Sequence, residues 1–395
     1  MLAIEGGHPV RSSFLPFAKP FIGQEEEEEV LAALRSGWLT TGPRSAQLER
    51  VIAQTVSAPH VLAVSSCTAA LHLALVLAGV GPGDEVVTSP MTFATTANVI
   101  LHQRAVPVFA DVEPDSLNLD PDALARSITS KTKAVIPVHL AGLPCDLDRI
   151  AEVARSVGAV VIEDAAHAIN AKYRGTPIGS ISPFTAFSFY AIKNITAGEG
   201  GALTLLDEEL ARQGRIWATC GITSDAWHRY GPKGFKRWRI EYPGYKYNLS
   251  DVLAAIALRQ FQKIENLQAR RNALAARYRT LLSGIDGVVL PPERDYAEHA
   301  HHLFIIQMLP EQFARDRNYV LEAMQSENIG VGLHFEAVHL HPYYKDTLGY
   351  SPGICPVAEQ ASDQILSLPL YPAMTDGDAD DVAEAVHKVF RAIRR

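Results

Sequence analysis

The chain has few cysteines, no excess of basic residues and no long uninterrupted hydrophobic segment. Its 395 residues include four cysteines, which lie far apart and form no Cys-x-x-Cys pair. This spacing is unlike a disulfide framework and is typical of free thiols in a reducing compartment. Lysine and arginine total 36 against 44 acidic residues, and the net charge of -8 argues against nucleic acid as the main partner.

Membrane insertion and secretion are also not indicated. No apolar run reaches the roughly 20 residues that a membrane-spanning helix requires. The first residues, Met1 to Gly7, lack the basic and then apolar pattern of a secretory signal. Hydrophobic residues make up 47% of the chain and charged residues 20%, as in ordinary globular proteins. We therefore expect a protein of the cytoplasm, with neither membrane nor nucleic acid as a partner.

Short β-branched runs alternate with helical segments between residues 60 and 206. The runs predict strands at 61–64, 85–88, 106–109, 134–138 and 159–162, and two further segments, 184–190 and 202–206, add two more strands. Helical segments lie between them at 68–75, 92–103, 121–129 and 146–157. Such alternation predicts a mostly parallel sheet with helices on both faces.

The second half of the chain has a different pattern, typical of a smaller α+β domain. A long helix is predicted from 248 to about 282, followed by strands at 303–308 and 329–333 and helices at 311–326 and 376–393. A chain of this length has room for more than one domain. We predict a large α/β domain with an N-terminal arm over residues 1–260, and a smaller α+β domain over residues 261–395.

A lone lysine ends an apolar, aromatic run. Lys193 follows the segment 187–192 and precedes a turn that contains glycines at 198, 200 and 201. An apolar environment lowers the pKa of a lysine, and the neutral amine is a nucleophile toward aldehydes. Proteins hold pyridoxal phosphate through such a lysine, usually with an acid facing the pyridine nitrogen. Lys193 is therefore the candidate catalytic residue.

Three other positions supply the groups that this cofactor needs. Asp164 ends a predicted strand, where ligands of open α/β sheets bind, and is either the partner of the pyridine nitrogen or a helix cap. The segment 65–70 joins a strand to a helix, and its N–H groups with the Thr68 hydroxyl either hold a phosphate or simply cap the helix. Ser188 either donates to the same phosphate or is an ordinary strand residue.

The remaining polar and aromatic candidates are less specific. Phe93 either stacks on a flat ring or belongs to the core, and His167 either lies over the ring or fills a polar gap. The five acidic residues at 25–29 predict a solvated helix face. The histidines within 299–302 lack the spacing and nearby acids of a metal site and are interpreted as structural or surface residues. No metal is predicted.

In their combination and order, these motifs resemble the DegT/DnrJ/EryC1/StrS family of pyridoxal-phosphate sugar aminotransferases, within the fold-type I (aspartate aminotransferase-like) enzymes. The resemblance covers nearly the whole chain and rests on the segments 36–43, 65–72, 137–142, 162–168, 188–196, 243–251 and 332–335. It implies an α/β large domain with a mostly parallel central sheet, plus a smaller C-terminal α+β domain. It also implies pyridoxal 5'-phosphate as cofactor, with pyridoxamine phosphate as an intermediate.

The same resemblance assigns roles to individual residues. Lys193 corresponds to the lysine that forms the Schiff base, and Asp164 to the partner of the pyridine nitrogen. Other cofactor contacts are implied for Thr68, Ala69, Phe93, His167 and Ser188. Asn248 corresponds to a residue that reaches the phosphate bound by the other subunit, which implies a homodimer with shared active sites. Substrate contacts are predicted for Trp38, Thr40, His334, His339 and Tyr343.

The reaction implied by the resemblance is transfer of the amino group of glutamate to a nucleotide-linked 4-keto sugar, with 2-oxoglutarate as the second product. The motifs are most similar to those of members that form UDP-4-amino-4-deoxy-L-arabinose for lipid A. Two positions differ: this chain has Phe93 where those members have Trp, and Cys67 where they have Ala. This predicts a UDP-linked substrate and a role in cell-surface polysaccharide, lipid A or glycan biosynthesis.

Three alternatives to this reaction remain. A 3-keto sugar or a keto-cyclitol is an alternative amino acceptor, and a non-catalytic regulatory homologue is a further alternative. Relatives that dehydrate or deoxygenate keto sugars replace the lysine with His, so the presence of Lys193 argues against that chemistry. A regulatory homologue would be expected to have lost site residues, whereas Lys193, Asp164, Ser188 and Asn248 are all present.

Overall fold

The computed structural model describes residues 1–223 and 239–395 and is built around a large central sheet. In chain order the strands of the first half are β1 (His60–Val64), β2 (Glu85–Thr88), β3 (Val106–Phe109), β4 (Thr132–Ile136), β5 (Val160–Asp164), β6 (Lys172–Tyr173), β7 (Thr176–Pro177), β8 (Phe184–Ser188) and β9 (Gly201–Leu205). The central sheet has the order β1-β9-β8-β5-β4-β2-β3. Strands β3, β2, β4, β5 and β8 run parallel, whereas β9 pairs antiparallel with β8 and β1.

Helices surround this sheet. They are α1 (Gln24–Arg35), α2 (Pro43–Val56), α3 (Cys67–Leu77), α4 (Thr95–His102), α5 (Pro121–Ser127), α6 (Leu147–Ser156), α7 (Glu208–Ala218) and α8 (Asp251–Gln262). Helix α3 is rich in alanine and leucine, which favour helix, and Ser66 caps its N-terminus by accepting the N–H of Ala69 at 3.1 Å. Eight of its residues, from Cys67 to Leu75, are buried, so α3 packs within the domain core.

A second, smaller sheet lies in the C-terminal part of the chain. The remaining strands are β10 (Val288–Val289), β11 (Ala297–Glu298), β12 (Phe304–Met308) and β13 (Ile365–Leu368), and the remaining helices are α9 (Ile264–Leu282), α10 (Arg317–Ser326), α11 (Pro356–Ser362) and α12 (Asp376–Ala392). Strands β10, β12 and β13 form an antiparallel sheet, and β11 joins β6 and β7. The core beside the smaller sheet contains Tyr278, Phe304 and Phe390, and the N-terminal residues Leu2 and Leu15 belong to it.

The fold-type I prediction is confirmed, with a mostly parallel large sheet and a smaller antiparallel one. Three details differ from the sequence-based expectation. The helix predicted at 311–326 begins only at Arg317, after a short turn at Pro310–Gln312. The predicted helix 248–282 is two helices, α8 and α9, separated at Lys263. The strand predicted at 329–333 is wrong, because Ile329 and Gly332 make only single bridges, to Leu15 and Ser367. None of the helices in the described residues is both long and apolar enough to cross a bilayer.

Candidate active site

A cavity of about 620 Å³ lies beside the end of β5 and the loop that follows β8. Such an edge, where parallel strands end, is the usual ligand site of an open α/β sheet. The cavity brings together predicted residues that are far apart in the chain, namely Thr68, Phe93, Asp164, His167, Ser188, Lys193 and His334. The parallel topology explains this convergence, because β5 and β8 are neighbours and end side by side.

Lys193 lies in the loop between β8 and β9, with its amine in the cavity. Its backbone N–H donates to the carbonyl of Tyr190 at 2.9 Å, which fixes the turn. Burial lowers the pKa of the Lys193 amine to about 8, although the nearby Asp164 carboxylate opposes this shift. Near neutral pH a much larger fraction of this amine is therefore neutral, and nucleophilic, than of an exposed lysine.

Asp164 is the last residue of β5 and its carboxylate is buried. The Thr96 hydroxyl donates to Oδ2 at 2.7 Å, and the backbone N–H of Ala166 donates to Oδ1 at 3.1 Å. Burial raises the pKa of Asp164, and these two hydrogen bonds act in the opposite direction. A buried carboxylate held in this way is suited to pair with a protonated ring nitrogen.

The N-terminus of α3 is a candidate anion site in the same cavity as Lys193. Ser66 and Thr68 line the cavity there, and the helix dipole favours a phosphate at this position. Gly201 permits the close approach of β9, because a Cβ atom at this residue would lie 2.6 Å from the nitrogen of Cys67. Ser188 also lines the cavity. Ala69 does not, and its N–H is bonded to Ser66 instead.

Two imidazoles, those of the buried His167 and the partly buried His334, line another part of the cavity. His167 accepts the backbone N–H of Ala141 at Nδ1, 3.3 Å away, so its proton in the neutral form is on Nε2. Burial lowers the pKa of His167 well below its ordinary value and that of His334 to about 4, so both rings are neutral at physiological pH. The ring of Phe335 stacks 6.1 Å from that of His167, and Phe93, 65% exposed, borders the opening.

Several predicted contacts do not line this cavity. Tyr343 is 54% exposed, in the short helical turn 343–347. Trp38 donates its indole N–H to the carbonyl of Thr41 at 3.0 Å, and the carbonyl of Thr40 accepts the N–H of Asp251 at 3.2 Å. Asn248 donates from Nδ2 to the Thr41 hydroxyl at 2.6 Å. Trp38, Thr40 and Asn248 belong to a separate group, of which Tyr343 is not a member.

That group joins two segments that are far apart in the sequence, the 38–42 loop and the 248–251 turn. The Asp251 carboxylate accepts the N–H groups of Gly42 at 2.8 Å and Ser45 at 2.9 Å, and thereby also caps α2. The Thr41 hydroxyl donates to the carbonyl of Leu249 at 2.6 Å. A buried carboxylate with several donors is costly to displace, so the two segments form one rigid unit.

The substrate contact predicted for His339 does not agree with the position of this residue in the structure. The His339 side chain is fully buried, and its Nε2 is 2.9 Å from Oε1 of Glu359. Its ring also packs 5.9 Å from that of Phe109, within a hydrophobic cluster beside α11. His334, five residues earlier, does line the cavity. Closeness in sequence to His334 therefore does not bring His339 into the site.

Other cavity residues were not assigned to the site from the sequence. Thr96 bonds to Asp164 across 68 residues of chain, and no motif indicates that contact. His302, interpreted as structural or surface, is buried, lines the cavity and lies 4.4 Å from the ring of His167. The Cys67 sulfur is 4.0 Å from Oδ1 of Asp164. The only available signal was position, since Thr96 and Cys67 follow predicted strands of the parallel sheet.

Comparison with known proteins identifies the family. The model of the DegT/DnrJ/EryC1/StrS aminotransferase family matches residues 20–387. The chain belongs to this family. The spore coat polysaccharide biosynthesis protein SpsC of Bacillus subtilis is 47% identical over 382 residues, which are 96% of this chain and 98% of SpsC.

Solved structures agree with this membership. Spr1654 from Streptococcus pneumoniae, in its pyridoxamine-phosphate form, matches with a TM-score of 0.90 and 33% identity over 96% of this chain and 99% of its own. DesI, solved with its TDP-sugar product, matches with a TM-score of 0.87 and 30% identity over 98% of this chain and 96% of its own. Spr1654 has also been solved in a pyridoxal-phosphate form, with a TM-score of 0.90.

This family member is a pyridoxal-phosphate-dependent sugar aminotransferase, as predicted. The described residues fit the cofactor. The buried Asp164 carboxylate would face the ring nitrogen, and the Lys193 amine, whose pKa is lowered, would hold the aldehyde carbon. The α3 N-terminus, with Thr68 and Ser188, would receive the phosphate. Within residues 1–223 and 239–395 no group of three or more His, Cys, Asp or Glu side chains is placed to hold a metal ion.

Proposed function

We propose that this enzyme transfers the amino group of glutamate to the keto group of a nucleotide-linked sugar, at C4 and with UDP as the nucleotide, for a cell-surface glycan. The observation that carries the transfer is the Lys193 amine of lowered pKa in one cavity with the buried Asp164 carboxylate. The TDP-sugar product of DesI and the role of SpsC in a spore coat polysaccharide support a nucleotide sugar as the acceptor. The C4 position and UDP rest on motif resemblance.

Each residue of the site has a defined task in this proposal. Pyridoxal phosphate, when bound, supplies an electron sink for negative charge at the substrate carbon. Asp164 holds the proton on the ring nitrogen, and the α3 N-terminus with Ser188 orients the phosphate. Lys193 would attach the cofactor through its amine. Once released, the same amine would move a proton between the substrate carbon and the carbon of the cofactor that carries the nitrogen. His167 presents a neutral Nε2–H to the cavity.

The proposed substrates are tested with isotopically labelled glutamate and a panel of keto sugars. The panel compares UDP-linked and TDP-linked 4-keto sugars with 3-keto sugars and keto-cyclitols, and product mass reports the label. We expect label in the UDP-linked 4-keto sugar, with turnover at least about tenfold faster than for the other acceptors, because one lost polar contact already costs about that much.

Separate outcomes address the donor and the acceptor. Glutamate alone should change the visible absorbance of the bound cofactor and release 2-oxoglutarate, whatever the acceptor is. If no amino donor does so, the proposed donor half-reaction is wrong. If glutamate reacts but a keto-cyclitol or 3-keto sugar receives the label fastest, the donor assignment stands and the C4 nucleotide-sugar assignment fails.

We also propose that the enzyme is a homodimer in which Asn248 serves the site of the partner subunit. Asn248 lies outside the cavity of its own subunit, and its Oδ1 is buried without a hydrogen-bond partner among the described residues. Around α1 the chain also exposes apolar side chains, including Leu31, Leu34 and Leu39. A second copy covering this region would bring Asn248, with Trp38 and Thr40 of the same rigid unit, toward another cavity.

Subunit mixing tests the shared site. Lys193→Ala and Asn248→Asp homodimers are each expected to be nearly inactive, the second because a carboxylate there repels the cofactor phosphate. In a mixed dimer one site combines the intact Lys193 with the intact Asn248. Random exchange should therefore restore roughly a quarter of wild-type activity, since half of the dimers are mixed and each has one intact site. If Asn248 acts within its own subunit, mixing restores nothing.

A further inference from the structure

Thr96 and Thr92 form a short hydrogen-bonded chain behind the Asp164 carboxylate. Thr96 is in the first turn of α4, and its hydroxyl lies 2.7 Å from Oδ2 of Asp164. The hydroxyl oxygens of Thr92 and Thr96 are also 2.7 Å apart. All three side chains are buried, Thr96 at 1% exposure and Thr92 at 2%. These contacts link the turn before α4 to the end of β5.

The chemistry of the groups sets the direction of this chain. An ionised carboxylate only accepts hydrogen bonds, so the Thr96 hydroxyl donates its proton to Asp164. The Thr96 oxygen is then free to accept, and the Thr92 hydroxyl is the donor. Both O–H groups therefore point toward the carboxylate, and each strengthens the next in a low-dielectric environment.

The two oxygens of the carboxylate have different partners. Oδ1 accepts the N–H of Ala166 at 3.1 Å, whereas the Thr96 hydroxyl bonds to Oδ2. The Cys67 thiol lies 4.0 Å from Oδ1 as a second, longer contact, and donors on both oxygens fix the rotation of the carboxylate about its side-chain bond. The hydroxyl also opposes the effect of burial, which raises the pKa of Asp164.

We propose that Thr96 is a positioning residue for the cofactor: its hydroxyl, supported by Thr92, orients Asp164 and keeps it ionised to receive the protonated ring nitrogen of pyridoxal phosphate. Thr96 acts through Asp164 and need not touch the reacting atoms. Its contribution is the hydroxyl group itself rather than the volume of the side chain.

The test is titration of the cofactor-free protein with pyridoxal phosphate at several pH values, for wild type, Thr96→Val and Thr96→Ser. Valine keeps the shape without the hydroxyl, and should raise the apparent Kd about tenfold or more, the usual effect of a lost hydrogen bond to a charged group. On acidification the valine variant should lose affinity at a higher pH than wild type, because its carboxylate takes up a proton more readily. The Thr96→Ser variant keeps the hydroxyl and should bind pyridoxal phosphate with a Kd within about threefold of wild type.

Thr88→Val is the matched control. Thr88 is an equally buried threonine, its hydroxyl donates to the carbonyl of Ile136 at 2.8 Å, and it does not line the cavity. The apparent Kd of the Thr88→Val variant for pyridoxal phosphate should stay within about twofold of wild type, even if the Tm of the variant falls. Where Thr96→Val does not fold, Thr96→Ala compared with Thr96→Ser asks the same question. The proposal would be overturned if the variant without the hydroxyl kept the wild-type Kd and pH profile. It would also be overturned if Thr96→Ser bound pyridoxal phosphate as weakly as that variant.

Discussion

Replacing Lys193 with alanine should lower transamination by at least about 10³-fold, because one amine provides both the covalent attachment and the proton transfer. The variant should fold normally. Burial lowers the pKa of this amine to about 8, so the folded protein gains nothing from its charge, and the substitution removes a side chain whose charged form is poorly solvated. Initial rates with saturating glutamate, together with thermal unfolding, measure both effects.

Lys172→Ala is the control for this experiment. Lys172 is partly exposed and pairs with Glu298 at 3.0 Å on the protein surface. Such a pair contributes little to stability, so this variant should retain wild-type rates. A Lys193→Ala enzyme that turns over at a rate comparable to wild type would show that another group carries the proton, and the assignment of Lys193 would be wrong.

Replacing Asp164 with asparagine should lower the rate by about 10² to 10³-fold and weaken cofactor binding, because the neutral amide cannot pair with a protonated ring nitrogen. The side chain keeps its size, and the amide oxygen can still accept from Thr96 or Ala166. Stability should therefore change less than activity. The apparent Kd for pyridoxal phosphate and the rate at saturating cofactor separate binding from catalysis.

The pH dependence provides an independent check on the role of Asp164. In wild type, affinity for the cofactor should decline on acidification as the Asp164 carboxylate takes up a proton, and burial raises the pKa at which this happens. The asparagine variant has no such group and should show weak affinity with a flatter profile at acid pH. If its profile matches that of wild type, a group other than Asp164 controls binding.

Much of the site can be predicted from the sequence because of a simple property of parallel sheets. Lys193, Asp164, Ser188 and Thr68 follow or end strands, and the topology brings those ends to one edge. The strands themselves are short apolar segments bounded by turns, and β2, β4 and β5 are rich in β-branched residues, which local patterns identify well. Thus the fold class, the lysine and its acid can be predicted without coordinates.

The other features of the site and fold depend on tertiary contacts, which local sequence patterns do not reveal. Thr96 contacts Asp164 because α4 follows β2, which is separated from β5 only by β4 and ends at the same edge of the sheet. His302 becomes part of the cavity wall because the segment before β12 returns to the large domain, where its ring meets His167. The helical pattern continues through Lys263, so the break between α8 and α9 is not visible in it. Lys263 pairs there with the buried Glu26 at 2.5 Å, a tertiary contact.

In the proposed dimer, where the 38–42 loop faces the cavity of the partner subunit, the attachment of this loop to the 248–251 turn has a consequence for how substrate range could be altered. The Thr41 hydroxyl is bonded to the carbonyl of Leu249 and the Gly42 N–H to the carboxylate of Asp251, so substitutions at residues 41 and 42 would weaken the attachment of the loop. The side chain of Leu39 is 51% exposed and Thr40 is exposed as well. We therefore expect substitutions that change specificity to be tolerated best at residues 39 and 40. Changes in these two side chains leave the hydrogen bonds between the loop and the turn in place.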